Sequence, residues 1–241
     1  MFRQSARVYD ALCRHKDYAG ACATLRAIVD RLAPNASTLL DAGCGTGLHL
    51  SHLRERFAAE GLDLSQEMLD VARTRCPGLP LHQGSLVDFS LGRRFDVVTC
   101  LFGSIAYAGD ESSLHRAVKC LANHLRAGGL LIVEPWVMPE RFVSGRLVLD
   151  TADEPDLKVA RMYVTERRGN LSIFDSTYLI GAPDGISSFR ERQELGLFSD
   201  GAYRHAFDGA DLEVVDATGD LFGYGLYVCR SEDRRPFLGK G

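Results

Sequence analysis

The chain has 241 residues, 46% hydrophobic and 25% charged, enough to bury a sizeable core as one domain or as a domain with an insertion. A net charge of −4 without a basic stripe argues against a nucleic-acid partner. No apolar run is long enough to span a membrane, and the opening residues through Arg7 lack the apolar core of a signal peptide. The seven cysteines are odd in number and show no C-x-x-C spacing, which points to reduced thiols and a cytoplasmic protein. The seven histidines form no H-x-x-x-H or H-E-x-x-H cluster. His49 and His52 share a helix face and read as surface or packing residues, so no metal is expected.

Tyr18 to Leu32 carries Ala, Leu and Ile at three- and four-residue intervals, a helical pattern ended by Pro34-Asn35. Leu39 to Asp41 reads as a first strand, 48–57 as a helix and 58–62 as a second strand. Ser65 caps a helix that runs to Arg75 and stops at Cys76-Pro77. There follow a short strand at 79–82, a buried strand at 95–101, a helix at 111–126 closed by Gly128-Gly129, and a fifth strand at 130–133. Strands alternating with helices imply parallel pairing in a doubly wound α/β sheet.

After Trp136 the texture changes. Segments 145–150, 157–166, 171–180 and 186–198 alternate apolar and polar residues between Gly, Asp and Pro turns. This predicts an antiparallel β insertion over about 137–198. A helix near 199–209 and strands at 212–217 and 224–230 follow. A single domain, 1–241, is expected, with its core in 20–136 and 199–230 and a polar, frayed tail from Ser231.

The chemistry concentrates at Leu39-Leu40-Asp41-Ala42-Gly43-Cys44-Gly45-Thr46-Gly47, a strand running into a glycine turn. In open α/β sheets, ligands sit outside the carboxyl ends of the strands. Glycines there let the backbone approach a ligand and adopt positive φ. Asp63, ending the second strand, is spaced to accept hydrogen bonds from ribose hydroxyls. A dinucleotide fingerprint needs a further glycine where Leu48 or Leu50 stands, and a P-loop needs a lysine after the glycines. What remains, D-x-G-x-G-x-G followed by an acid, resembles the glycine motif of class I S-adenosyl-L-methionine (SAM) methyltransferases.

Further strings tighten the resemblance. They are Lys16-Asp17-Tyr18, His82-Gln83-Gly84, the run from Asp88 to Phe95, the run from Thr99 to Ile105, Val133-Glu134-Pro135-Trp136, the run from Leu195 to Phe198, and Gly223-Tyr224-Gly225-Leu226. In this order they resemble the sugar-amine N-methyltransferases of antibiotic biosynthesis, which include the N,N-dimethyltransferases that finish desosamine and mycaminose. The resemblance implies a Rossmann-like, mostly parallel seven-stranded sheet completed by a terminal antiparallel hairpin. It implies SAM as cofactor, S-adenosyl-L-homocysteine as product and a small-molecule acceptor.

By position, the resemblance implies cofactor contacts from Asp41, Gly43, Gly45, Asp63, Leu64 and Met68. Ser85 and Leu86 are expected to border the adenine, Leu101 and Phe102 to pass the methionine part, and Tyr9 and Tyr18 to close over the site. The acceptor is expected to meet Tyr18, Tyr107, Glu134, Trp136 and Tyr224. Tyr107 would orient the amine, Glu134 attract its ammonium form and Trp136 wall the pocket. Two positions depart from the family pattern. Ser85 stands where the family usually has an acid. Tyr224 stands where it tends to have an arginine, whose charged fork suits phosphate. The insertion is expected either to shape the acceptor pocket or to mediate a homodimer.

The expected reaction is direct in-line transfer of a methyl group to an amine, catalysed mainly by alignment, which contributes about 7–11 kcal/mol in well-oriented systems. The expected acceptor is an amino sugar, free or nucleotide-linked, or a related natural-product intermediate. The alternatives are O- or C-methylation of a small metabolite on the same fold, and SAM binding without catalysis. Nucleic-acid amines are disfavoured, because Leu101-Phe102-Gly103-Ser104 replaces the Asn/Asp-Pro-Pro-aromatic string of such enzymes.

Overall fold

A computed structural model describes residues 4–232, so the polar tail from 233 on lies outside the described residues. Five parallel strands form the centre: β1 (Thr38–Ala42), β2 (Ala58–Asp63), β3 (Leu81–Gln83), β4 (Phe95–Cys100) and β5 (Leu125–Val133). Two late strands, β10 (Leu212–Asp216) and β11 (Tyr227–Ser231), add antiparallel to β5 in the order β10-β11-β5-β4-β1-β2-β3. The remaining strands, β6 (Leu147–Glu154), β7 (Leu157–Arg168), β8 (Leu171–Ala182) and β9 (Gly185–Gly196), make a separate antiparallel sheet after β5.

The central strands are apolar on both faces because helices cover both. Leu40, Val98, Leu131 and Val133 pack with α5 (Glu111–Asn123) and α6 (Asp200–Asp208). Their neighbours Leu39, Val97, Leu130 and Ile132 point the other way, against α2 (Tyr18–Leu32), α3 (Leu48–Leu53) and α4 (Gln66–Arg75). Side-chain caps start these helices where the sequence places short polar residues. Ser65 Oγ accepts from Met68 N at 3.2 Å, and Asp110 Oδ1 accepts from Ser113 N at 2.8 Å.

Several boundaries differ from expectation. An eight-residue helix, α1 (Ala6–Cys13), precedes α2, although its apolar signal is little more than Val8 and Leu12. Helix α3 ends at Leu53, and β11 begins at Tyr227, after a loop in which Gly223 and Gly225 take positive φ. Helix α5 stops at Asn123, before Gly128-Gly129. The His124 carbonyl is already claimed by Phe95 N at 2.8 Å, which commits the chain to β5 from Leu125 onward. The two glycines instead fall inside that strand, where the register with β4 shifts.

Helix α1 ties the two sheets together. Val8 and Leu12 pack on Val159, Tyr178 and Ile180 of the smaller sheet. On its other side, Asp10 bonds Thr46 Oγ1 at 2.6 Å and pairs with Arg75.

Candidate active site

The carboxyl ends of β1, β2 and β4 open onto one cavity of about 440 Å³. Helix α1 roofs it through Tyr9, Leu12 and Cys13, and the inner face of the antiparallel sheet closes its far end. At the near end, Gly45 takes φ +54°, and a Cβ built there would meet nothing within 4 Å, so this backbone borders open space. Gly43, at φ +80°, has Ser104 2.6 Å from its Cβ position, so only glycine fits. Asp63 organises the turn: Oδ2 accepts from Gly45 N and Oδ1 from Ser65 N, both at 2.8 Å. Burial pushes its pKa up against these bonds. Each carboxylate oxygen keeps capacity for another donor. Leu64, Met68, Ser85 and Leu86 line the same end.

Asp41 lies elsewhere than expected. It is 1% exposed and sits beneath the turn with Oδ1 accepting from Thr99 Oγ1 at 2.8 Å, outside the cavity lining. Burial raises its pKa to about 7. Its geometry is that of a support for β1 and β4, not of a ligand contact.

Glu134 also moves from its expected place. Its carboxylate is fully buried and does not line the cavity. Oε2 is turned inward and accepts the backbone N–H of Phe102 at 2.7 Å. Phe102 needs that anchor, since it holds φ +54°, a left-handed conformation unfavourable for a residue with a Cβ. Burial pushes Glu134 up to about 7. Leu101 and Phe102 both line the cavity. Tyr18 lines it too, edge-on to His49 and Phe222 with centroids 5.0 and 5.5 Å away. His49, read as surface or packing, is 6% exposed, packs here and is kept neutral by burial, with a pKa near 4.

Beyond Phe102 the walls turn aromatic. Tyr107 lies on a single 3₁₀ turn, Ser104–Ala108, and burial pushes its hydroxyl and that of Tyr9 well above the usual phenol range. Trp136 is tilted against Tyr224 at 5.2 Å and edge-on to Phe174 at 5.9 Å, and its Nε1 donates to Ser172 Oγ at 3.1 Å. Tyr163 and Phe142 also meet Phe174 edge-on, at 5.3 and 6.3 Å.

Polar groups from the small sheet join the aromatic wall. Arg161 binds Asp150 Oδ2 through Nε at 3.0 Å and Nη2 at 2.6 Å. Gln193 lines the cavity and has a buried amide nitrogen without a partner. At the rim, Arg141 Nη1 reaches Gly223 O at 3.5 Å, beside Tyr224. Arg146, exposed just before β6 with its backbone bonded to Thr165, is close enough for its charge to act on the Tyr163 hydroxyl. Neither guanidinium pairs with a described carboxylate. Sequence reasoning quoted Lys16 only within the string Lys16-Asp17-Tyr18 and gave it no role, and it passed over Asp150, Arg161, Tyr163, Phe174 and Gln193. The signal of these last five was present as alternate positions on the insertion strands, but alternation alone does not say which face meets a ligand. Among the described residues, no three His, Cys, Asp or Glu side chains gather as a metal site, and no helix is long and apolar enough to cross a membrane.

A glycine turn, a carboxylate at the end of β2 and a closed cavity on a seven-stranded sheet define a SAM-dependent methyltransferase. A family model described as a methyltransferase domain matches residues 39–129. The chain is 40% identical over 227 residues to a dTDP-3-amino-3,6-dideoxy-alpha-D-glucopyranose N,N-dimethyltransferase of Streptomyces fradiae, covering 92% of this chain and 89% of that one. It is similar to the SAM-bound structure of an amino pentose methyltransferase from Micromonospora echinaspora involved in calicheamicin biosynthesis. That match has 36% identity and a TM-score of 0.83, over 95% of this chain and 97% of the other. A sugar N-methyltransferase from a Streptoalloteichus species gives 38% identity and a TM-score of 0.85 over 93% of each chain. The chain belongs to the sugar-amine N-methyltransferases, the family its motifs resemble.

The Glu134 contact predicts a specific stability pattern. Glu134→Ala strands the Phe102 N–H and is expected to cost about 1–3 kcal/mol in urea denaturation, with Glu134→Gln, which keeps an acceptor oxygen, costing less. Because folding raises this carboxyl from 4.5 to about 7, the folded state binds its proton more tightly. Its contribution is full below pH 4.5 and falls away as pH rises through 7. Wild type is therefore expected to lose stability relative to Glu134→Gln across that interval. A gap between the two that does not change with pH contradicts this.

Proposed function

We propose that this chain is a cytoplasmic N-methyltransferase that acts on the amino group of a nucleotide-linked amino sugar. The observation that carries the reading is one continuous cavity, which runs from the glycine turn past Tyr107 to an aromatic wall, with Arg141 beside Tyr224 and Arg146 near Tyr163 and neither paired with a described carboxylate. The open face of Gly45 and the spare acceptor capacity of Asp63 fit an adenosine. SAM, when bound, supplies an electrophilic methyl group on its sulfonium. Asp63 would receive the ribose hydroxyls, Ser85 and Leu86 would border the adenine, and Leu101 and Phe102 would pass the methionine portion.

Tyr107 would meet the acceptor, and Tyr9 would close over the site from α1. A phenol whose pKa is raised by burial stays protonated at neutral pH, so Tyr107 serves as an orienting hydrogen-bond partner and not as a base. An amine with a free lone pair needs little further activation, and closure beneath α1 would supply alignment. The relative from Streptomyces fradiae is named for a dTDP-linked amino sugar. Here Trp136 and Tyr224 would flank the acceptor's ring systems. Arg141 and Arg146 would meet the diphosphate, replacing the charge that Tyr224 lacks.

The outer face of the small sheet supports a homodimer. Leu147 opposes Val164 and Leu149 opposes Met162, at 67, 51, 57 and 48% exposure, with Leu179 beside them at 52%. Sedimentation is expected to give a dimer that Leu149→Asp converts to monomer; a monomeric wild type at micromolar concentration rules the dimer out.

Incubation with methyl-labelled SAM and a panel of dTDP-linked and free amino sugars is expected to label the nucleotide-linked acceptors. In the Arg141→Ala/Arg146→Ala protein, KM for those acceptors is expected to rise about tenfold or more, with SAM affinity unchanged. Transfer to no amine in the panel overturns the proposal. Tyr107→Phe is expected to lower kcat about tenfold with SAM affinity nearly constant; wild-type turnover in that variant removes the role assigned to Tyr107.

A further inference from the structure

Lys16 sits in the short connection between α1 and α2, partly buried, and lines the cavity. Its Nζ lies 4.7 Å from the ring centroid of Phe102 and 5.1 Å from that of Phe222. No described carboxylate pairs with it. Two ring faces give an ammonium a modest attraction but no hydrogen-bond acceptor, so its three donors have no hydrogen-bond partner among the described residues. A charge drawn partly out of water is ordinarily paired. The charge of Lys16 acts on Glu134, but that carboxylate is fully buried and does not line the cavity, and its Oε2 accepts the Phe102 N–H.

The position of this ammonium is as informative as its lack of a partner. Strand order in this part of the sheet is β4-β1-β2. A ligand whose ribose reaches Asp63 at the end of β2, and whose middle crosses the glycine turn after β1, brings its far end over β4. There it meets Phe102 and therefore Lys16. Phe222, edge-on to Phe102 at 5.4 Å, closes the other side of the seat.

We propose that Lys16 is the receptor for the α-carboxylate of SAM, with Phe102 and Phe222 as the apolar walls that hold the ammonium in place. The assignment rests on the cofactor reading above. It separates two parts of one ligand: Asp63 takes the nucleoside end, Lys16 the amino-acid end.

Titration calorimetry on the full chain tests it with two probes. S-adenosyl-L-homocysteine carries the carboxylate; 5′-methylthioadenosine has the same nucleoside and thioether but no amino-acid group. Lys16→Met keeps the apolar stem and removes the charge. It is expected to weaken S-adenosyl-L-homocysteine about ten- to a hundredfold, the range for a hydrogen bond to a charged group, while methylthioadenosine affinity stays within about twofold. Lys16→Arg is expected to restore most of the loss. Unchanged S-adenosyl-L-homocysteine affinity in Lys16→Met, or equal weakening of both probes, overturns the assignment. Failure of the wild-type chain to bind either probe instead overturns the cofactor reading, and this assignment falls with it.

Discussion

The site depends on one hydrogen bond, from the Gly45 N–H to the Asp63 carboxylate. It joins the turn after β1 to the end of β2, so the two strand ends move as one unit. The same carboxylate accepts from Ser65 N, whose own side chain caps α4. Three local choices thus meet at one residue: a left-handed glycine, a charged strand end and a helix cap. Burial opposes the charge on Asp63 and these N–H bonds support it. A carboxylate held in this way is oriented before any ligand arrives, which limits the ordering that binding must impose.

Around this fixed floor the walls are held more weakly. Helix α1 spans from the glycine turn to the small sheet by polar contacts at both ends, Asp10 to Thr46 and Arg75 on one side and Ser5 to Glu191 and Arg14 to Glu154 on the other. Partly exposed pairs of this kind are each worth about 0–1 kcal/mol. The apolar hold is Val8 and Leu12, about 1.5–3 kcal/mol each as an upper estimate. The roof is therefore among the least stable parts of the fold, whereas the floor is backed by two cores, one on each face of the sheet.

The parallel sheet was legible because its central strands β1, β4 and β5 are mostly apolar on both faces and the strands are bounded by turn residues. The antiparallel insertion was legible because its strands alternate. Helix α1 was not, since eight residues whose buried aliphatic side chains are Ala6, Val8 and Leu12 give too little period to recognise. The end of α5 was misread for a different reason: Gly128-Gly129 looks like a helix stop, but the His124 carbonyl had already been captured by β4, a contact distant in sequence. Asp41 and Glu134 show the same limit within the site. Both stand at strand ends where a ligand contact is expected, and both turn inward to hold backbone or side chain beneath the cavity. Sequence position specifies the strand end; only packing decides which way a carboxylate faces.

Tyr224 stands where the family resemblance implies an arginine, in a loop whose backbone is kept. The loop that carries it is fixed by Gly223 and Gly225, both at positive φ, so the backbone is retained although the side chain between them differs. An aromatic ring there packs against Trp136 and extends a wall already built from Phe142, Tyr163 and Phe174. The positive charge that such a ring lacks is available nearby, because Arg141 approaches the carbonyl of Gly223 from the segment that leads into the insertion. Guanidinium side chains are long, and an anion at an exposed rim can be met from more than one direction. The glycine turn has no such latitude: its ligand-facing groups are backbone, and only glycine at position 43 leaves room for Ser104. Motifs built from backbone geometry therefore stay in place, whereas charge at the mouth of a cavity is free to migrate between neighbouring loops.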